Sequence, residues 1–171
     1  ISQAEEAQTN AMTSLTDAID RQTQAYDNVS TCQNNVTTAQ SKVTTIQGEL
    51  DGLKSAEASY SNVSADDKEA QAKLQELQSQ IAKKEEELAA AQKELEEAQT
   101  KLSEAEQELS EAQTGVTEAQ TAYEEATQVL TELNNRREDK EDEINQLEAK
   151  LDVETQKAKE TYDEAKTKLI A

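Results

Sequence analysis

The side chains in this chain that could do chemistry are carboxylates and one thiol. The 171 residues include 37 Asp and Glu, a single Cys at Cys32, and no His. A carboxylate acting as general acid or base needs a desolvated pocket, and a nucleophilic thiol needs a base beside it. No segment of the sequence assembles either arrangement. We therefore predict no catalytic residues and no enzyme activity.

Metal and ligand chemistry have equally little support. A run of glutamates such as Glu85 to Glu87 would hold Ca²⁺ only as a loose counterion, because a calcium loop needs Asp, Asn and Gly at fixed spacing. We predict no metal, no cofactor and no small-molecule substrate. Three triplets, beginning at Asn28, Asn35 and Asn62, match the acceptor pattern for N-glycosylation. The sequence leaves open whether they are modified.

The composition excludes several classes of protein. A formal net charge of -20 repels phosphate backbones, so nucleic acid is not an expected partner. No apolar run approaches the roughly 20 residues that a membrane span needs. Hydrophobic residues make up 34% of the chain, many of them Ala, and Pro, Phe and Trp are absent. A conventional globular core is therefore not expected.

A seven-residue repeat of apolar residues runs through the second half of the chain. Bulky and small residues alternate from Leu74 to Ala126 at spacings of three and four, and the bulky positions include Leu74, Ile81, Leu88, Leu95, Leu102 and Leu109. This spacing places the side chains on one stripe of a helix and is typical of a left-handed coiled coil. High charge with low hydrophobicity would also fit disorder, but the sustained repeat favours order.

The first segment has its own repeat, in a different phase. Its apolar stripe, which would form the seam between two packed helices, includes Leu15, Val29, Cys32, Val36 and Ile46. The two phases do not join, and residues 59–64 between them are poor helix formers, with Ser64 or Asp66 as the expected N-cap of the next helix. A short connection between two long helices predicts an antiparallel hairpin. The expected segments are a helix over 1–57, a turn over 58–66 and a second helix over 67–126.

Volume matching predicts the register of this hairpin. If the numbers of facing residues add to 127, Cys32 faces Leu95, Val36 faces Ala91, and small faces large in nearly every layer away from the turn. Close packing of two helices favours that alternation. A sum of 120, one heptad away, preserves the alternation and remains an alternative.

Residues 127–171 have no partner in this register. Their stripe includes the predicted assembly interface, which consists of Leu130, Leu133, Ile144, Leu147 and Leu151. An apolar stripe on a single helix is marginal in water. Three explanations of the unpaired residues 127–171 remain open. In the first, more chain precedes Ile1 and pairs with them, and in the second they dock onto another molecule. In the third, a second turn over 134–137 folds them back into a three-helix bundle.

The run from Glu86 through Leu95 to Ala126 resembles the Ala-rich helical stalks of Gram-positive cell-wall-anchored surface proteins. The resemblance is one of composition and covers residues 66–171. It implies a spacer or adhesin stalk that projects a binding domain beyond the wall. The chain departs from that family in having a Cys and no Pro-containing wall-sorting signal in this segment. It also resembles acidic coiled-coil matrix proteins of protist secretory organelles, which implies proteolytic processing and packing into a filament or lattice.

Together these patterns predict an all-α protein, a long antiparallel coiled-coil hairpin with a third helix or an intermolecular overhang. The first functional prediction is a rod-like spacer or stalk of an extracellular or cell-surface protein. The alternatives are a self-assembling filament or secretory-matrix component, and a module that binds a partner through the hairpin tip at Tyr60 and Asn62. The expected partners are proteins, a second copy included. The granule matrix and the cytoplasm remain alternative locations.

Overall fold

The computed structural model describes residues 1–171 and contains two long helices joined by a connector. Helix α1 is Ser2–Ala58 and helix α2 is Lys68–Ile170. Neither contains Pro, and α2 in particular is rich in Glu, Ala, Gln, Leu and Lys, which are good helix formers. The helices pack against each other in antiparallel orientation. The predicted all-α antiparallel hairpin is therefore confirmed.

Helix α1 carries many Thr and Ser residues. Thr hydroxyls along this helix donate hydrogen bonds to the backbone carbonyl four residues earlier; for example, Thr9 bonds Glu5 O at 2.9 Å and Thr37 bonds Gln33 O at 3.0 Å. Such residues favour a helix less than Ala, Glu or Leu, because of β-branching and because their hydroxyls compete for backbone groups. Residues of this kind rely on packing to remain helical.

The connector, residues 59–67, turns the chain with short backbone hydrogen bonds. Ser61 N donates to Ala58 O and Val63 N donates to Tyr60 O, both at 3.2 Å. Helix α2 then begins after Asp67, whose Oδ1 accepts a hydrogen bond from Ala70 N at 3.1 Å. Asp67 is therefore the N-cap. The prediction of Ser64 or Asp66 as the cap was wrong, because the Ser64 hydroxyl instead accepts from Asp66 N within the connector.

Two compact units can be distinguished along the chain: Asp17–Thr117, and Ile1–Thr16 with Glu118–Ala171. The first unit is a paired hairpin. Its central core cluster consists of Val29, Cys32 and Ala105, with Leu102 and Leu109 packed against it. Most side chains along this seam are small or aliphatic, and no polar side chain is buried.

The register differs from the predicted one. Val29 and Cys32 pack with Ala105 and Leu102, so the numbers of facing seam residues add to 134, rather than 127 or 120. The contacts at the edges of the seam agree, since Lys42 lies against Glu94, and Tyr26 Oη accepts a hydrogen bond from Gln113 Nε2. The predicted pairs of Cys32 with Leu95 and Val36 with Ala91 were therefore wrong by one heptad.

The connector explains this displacement. The prediction centred the turn between Val63 and Ser64, but the connector does not lie symmetrically between the helices. It faces the first two turns of α2: Gln71 Nε2 donates to Ser64 O at 3.4 Å, and Tyr60 lines a shallow depression with Ala70 and Lys73. Those turns of α2 are therefore not available to α1. The large-small alternation repeats in every heptad, so it could not reveal the shift.

In the second unit, α2 pairs with the start of α1 and then continues alone. Gln8 Nε2 donates to Thr127 Oγ1 at 3.0 Å, and Ala4 is buried. Leu130 and Leu133 are half-buried, so pairing extends past residue 126, where the prediction ended it. From 135 to 171 every residue is exposed, and α2 remains helical to Ile170. A second turn over 134–137, and with it the three-helix bundle, is not formed.

Candidate functional site

All of the residues predicted to form the seam are buried or half-buried between the two helices. Val29, Cys32, Ile46 and Ile81 are buried, and the others are half-buried: Leu15, Val36, Leu74, Leu88, Leu95, Leu102 and Leu109. The Cys32 thiol lies 3.8 Å from Asn28 Oδ1, a weak contact typical of a buried cysteine that serves packing. What this arrangement can do is hold two helices together in one register.

Ion pairs flank the seam on both edges. Lys42 Nζ lies 2.7 Å from Glu94 Oε2, and Lys54 Nζ lies 3.1 Å from Glu85 Oε1. These pairs are exposed, so each contributes about 0–1 kcal/mol. These pairs help to fix the register of the two helices, because a shift by one heptad would separate both pairs.

Lys84 occupies a seam position that an apolar residue would normally hold. Its ammonium lies 2.8 Å from Glu49 and 2.9 Å from Glu87, and its side chain is only 24% exposed. The hydrogen bond to Glu49, which has the largest effect, and the hydrogen bond to Glu87 raise the pKa of Lys84 above its usual 10.5. The register places this residue opposite Leu50, which is 2% exposed. A lysine can fill such a layer because its stem is apolar while its charged end reaches the edge.

The main candidate interaction surface is the C-terminal stripe, which we define as the apolar positions along one side of the exposed part of α2. Three of its members were predicted as assembly residues, and all three are exposed: Ile144, Leu147 and Leu151. The other two predicted residues, Leu130 and Leu133, are half-buried on the paired part of α2 and do not belong to it. The remaining members of the stripe are Ala158, Tyr162, Ala165 and Leu169.

Sequence reasoning missed Tyr162 and Leu169. A strict heptad count from Leu147 reaches Glu154, Thr161 and Lys168, which are polar. The seam instead contains an insertion of four residues: the spacing from Leu147 to Leu151 is repeated from Leu151 to Thr155, after which threes and fours alternate again. Counted at 100° per residue, the members of the stripe lie within an arc of about 60° on a straight helix. The repeated spacing of four was the signal that could have revealed it.

The polar residues around the C-terminal stripe differ from those of the rest of the chain. Nearly half of the 17 Lys and Arg residues lie beyond residue 134, although the whole chain is strongly acidic. The ion pairs here are within the helix: Lys140 Nζ is 2.7 Å from Glu143, and Lys157 Nζ is 3.2 Å from Glu154. The hydrogen bond to Glu143 raises the pKa of Lys140. This part of α2 therefore combines an apolar stripe with charges of both signs.

The predicted tip surface is less developed. Asn62 is exposed, whereas Tyr60 is half-buried beside the first turns of α2. Tyr60, Asp67 and Lys73 line a shallow, open depression. The side chains there make one weak ion pair, between Lys73 and Glu76 at 3.5 Å. The tip stays a predicted recognition surface with no defined pocket.

Neither helix has a stretch long and apolar enough to cross a membrane. No group of three or more His, Cys, Asp or Glu side chains is arranged to hold a metal ion. When the chain is compared with protein-family models, curated proteins and solved structures, none of them matches. The structure defines an all-α helical hairpin with a coiled-coil seam.

Proposed function

We propose that the chain is a non-enzymatic coiled-coil spacer or stalk, of the kind found in extracellular and cell-surface proteins. In this proposal the hairpin is the spacing element and the C-terminal stripe is the surface through which it is attached to a protein partner. The observation that carries the proposal is the pairing of α1 and α2 in a single register over many heptads, beside an apolar stripe left exposed on α2.

The hairpin is suited to holding a distance. A continuous helix of 1.5 Å rise per residue gives the paired segment of α1 from Asp17 to Ala58 a length of about 60 Å. Its side chains interlock through the seam and through cross-helix pairs such as Lys42 with Glu94. Two interlocked helices resist bending more than one helix does, so such a hairpin can keep its ends apart.

The exposed stripe is suited to attachment. Leu147 is 63% exposed and Leu169 is 88% exposed, and they lie on the same side of α2. Large apolar side chains aligned in this way mark surfaces that other helices cover. A partner that covers the stripe would join this chain to another protein without any ligand chemistry.

A distance measurement between spin labels tests the spacing element. We would place labels at Asp20 and Ser55, both exposed on α1, in a Cys32→Ala background. A paired α1 gives a narrow distribution centred at about 50 Å. The matched control is the same pair of labels with Leu102→Lys, which puts an unpaired charge on the seam and should broaden the distribution.

A broad distribution in the unmutated hairpin would sink the spacer proposal, because an arm that does not hold its length cannot set a distance. An unchanged distribution in the Leu102→Lys variant would also count against it. In that case the rigidity of α1 would not come from its pairing with α2.

A further inference from the structure

The C-terminal stripe is symmetric about a point between Glu154 and Thr155. Leu151 and Ala158 lie equally far from that point, and so do Leu147 and Tyr162, and Ile144 and Ala165. Leu169, the last member of the stripe, lies as far from that point as Lys140, a polar residue outside the stripe. Because of this symmetry, two copies of the stripe laid antiparallel superpose their seam positions on each other. An isologous contact with a two-fold axis has this property.

The facing residues in such a pair follow the packing rule of the hairpin. Leu151 would face Ala158 of the second copy, and Ile144 would face Ala165, so large faces small in both layers. Leu147 would face Tyr162, giving one bulky layer between them. In the hairpin, the same rule puts the small Ala105 opposite Val29, and Leu102 opposite the small Cys32.

The charges beside the stripe also fit this pairing. In the hairpin, facing seam residues have numbers adding to 134, while the flanking pairs Lys42–Glu94 and Lys54–Glu85 add to 136 and 139. When two stripes lie antiparallel, the numbers of flanking residues should again exceed the sum for facing residues by two or by five. Glu143 then lies beside Lys168 of the second copy, and Glu148 lies beside Lys166. Two-fold symmetry produces each of these two pairs twice.

Neighbouring arrangements are less favourable. A shift of one heptad in one direction brings Lys150 beside Lys168, and a shift in the other direction brings Arg136 beside Lys168. A parallel pair in register would place Lys140 against Lys140 on the seam and Glu143 beside Glu148 at its edge. Like charges at these positions oppose association. The charges therefore favour the antiparallel arrangement in one register.

We propose that the C-terminal stripe binds a second copy of this chain, antiparallel, with the two-fold axis between Glu154 and Thr155. The stripe continues the helix face that forms the established seam with α1, and it is the part of α2 that α1 does not cover. This inference rests on the proposed attachment role of the stripe and names its partner. The product is a closed dimer rather than an open filament, because each stripe is fully used by one partner.

Sedimentation equilibrium of the full-length chain tests this proposal, with circular dichroism used to confirm that every variant is folded. The unmutated chain should approach twice the mass of the monomer as concentration rises, and no more. Leu151→Asp should weaken dimerisation at least tenfold, because it puts a charge on the seam beside the axis. Its hairpin should melt as in the unmutated chain, since Leu151 is exposed in the monomer.

Charge exchange tests the register. Glu143→Lys should weaken the dimer roughly tenfold, because two attractive pairs become repulsive. Lys168→Glu should weaken it to a similar extent, and the double variant should recover most of the affinity. The matched control is Glu138→Lys, which changes the charge on the same helix outside the proposed pairs.

Two outcomes would overturn the dimer. One is a chain that stays monomeric at every concentration tested, and the other is a dimer that neither Leu151→Asp nor the charge variants affect. Growth beyond a dimer would replace the closed contact with an open assembly and would overturn the proposal as well. A monomer that keeps its narrow spin-label distance would remove the second copy as partner and leave the spacer intact.

Discussion

Lys42 on α1 and Glu94 on α2 are 52 positions apart in the chain, and their side chains meet across the hairpin with Nζ 2.7 Å from Oε2. In the register that the alternation of large and small residues suggested, Lys42 would lie about 10 Å further along α2. This pair and the core around Cys32 define the same alignment of the helices.

The register can be checked with the native thiol. Leu102→Cys should place a second thiol opposite Cys32, and a short bifunctional thiol reagent should then link the two within one molecule. Leu95→Cys is the matched control, because it lies one heptad away. Linking in that variant should be slower by roughly tenfold or more, since a displacement of about 10 Å exceeds the reach of the reagent. Faster linking in Leu95→Cys would restore the rejected register.

Small residues on α2 should be sensitive to enlargement. Ala91 is 0% exposed, so Ala91→Leu would force the helices apart or push side chains out of their preferred rotamers. We expect a loss of about 1–3 kcal/mol in the free energy of unfolding, measured with urea. Ala89→Leu, at an exposed position on the same helix, should stay within about 0.5 kcal/mol of the unmutated chain. Equal effects of the two substitutions would argue against close packing at this layer.

Lys84 should give the hairpin a dependence on alkaline pH. Its pKa is raised in the folded state by Glu49 and Glu87, so its stabilising contribution is complete below the unfolded value of 10.5 and is lost as pH rises through the folded value. Stability should therefore decrease above about pH 10.5, and Lys84→Met should remove part of that decrease. Lys101→Met, at an exposed position, serves as the control and should retain it. Thermal melts between pH 9 and roughly 11.5 would measure the difference.

The length of the hairpin should change in whole heptads. Residues 36–42 of α1 face residues 92–98 of α2 in the observed register. Deleting both segments should leave a folded hairpin in which the distance between labels at Asp20 and Ser55 falls by about 10 Å. Deleting 92–98 alone should leave that distance unchanged while lowering the melting temperature, because facing pairs beyond the deletion are displaced. Loss of helicity after the matched deletion would show that the seam is not modular.

The helices were predictable because their repeats are long and regular. The stripe from Leu74 to Ala126 and the earlier one through Val29 and Cys32 specify two helices, and the polar residues between them indicate a turn. The register was not predictable from these stripes, since each heptad repeats the same alternation. It depends on features that occur once, namely Lys84 on the seam, the pair of Lys42 with Glu94, and the asymmetric connector.

The candidate site was only partly predictable. Ile144, Leu147 and Leu151 continue the heptad count and were found by it. Leu130 and Leu133 were assigned to the free surface because the predicted register was one heptad short. Tyr162 and Leu169 were missed because one insertion of four residues moves them out of the strict count, although a helix of 3.6 residues per turn keeps them on the same side.

The Thr and Ser hydroxyls of α1 have a consequence for the order of folding. Helix α2 is composed of residues that form helix readily, whereas α1 is held helical by what it packs against. The α2 backbone should therefore act as a template on which α1 coils. Pairing of α1 with α2 should begin beside the connector, where the shortest loop costs the least entropy. It should then proceed residue by residue from Leu53 towards Ile1.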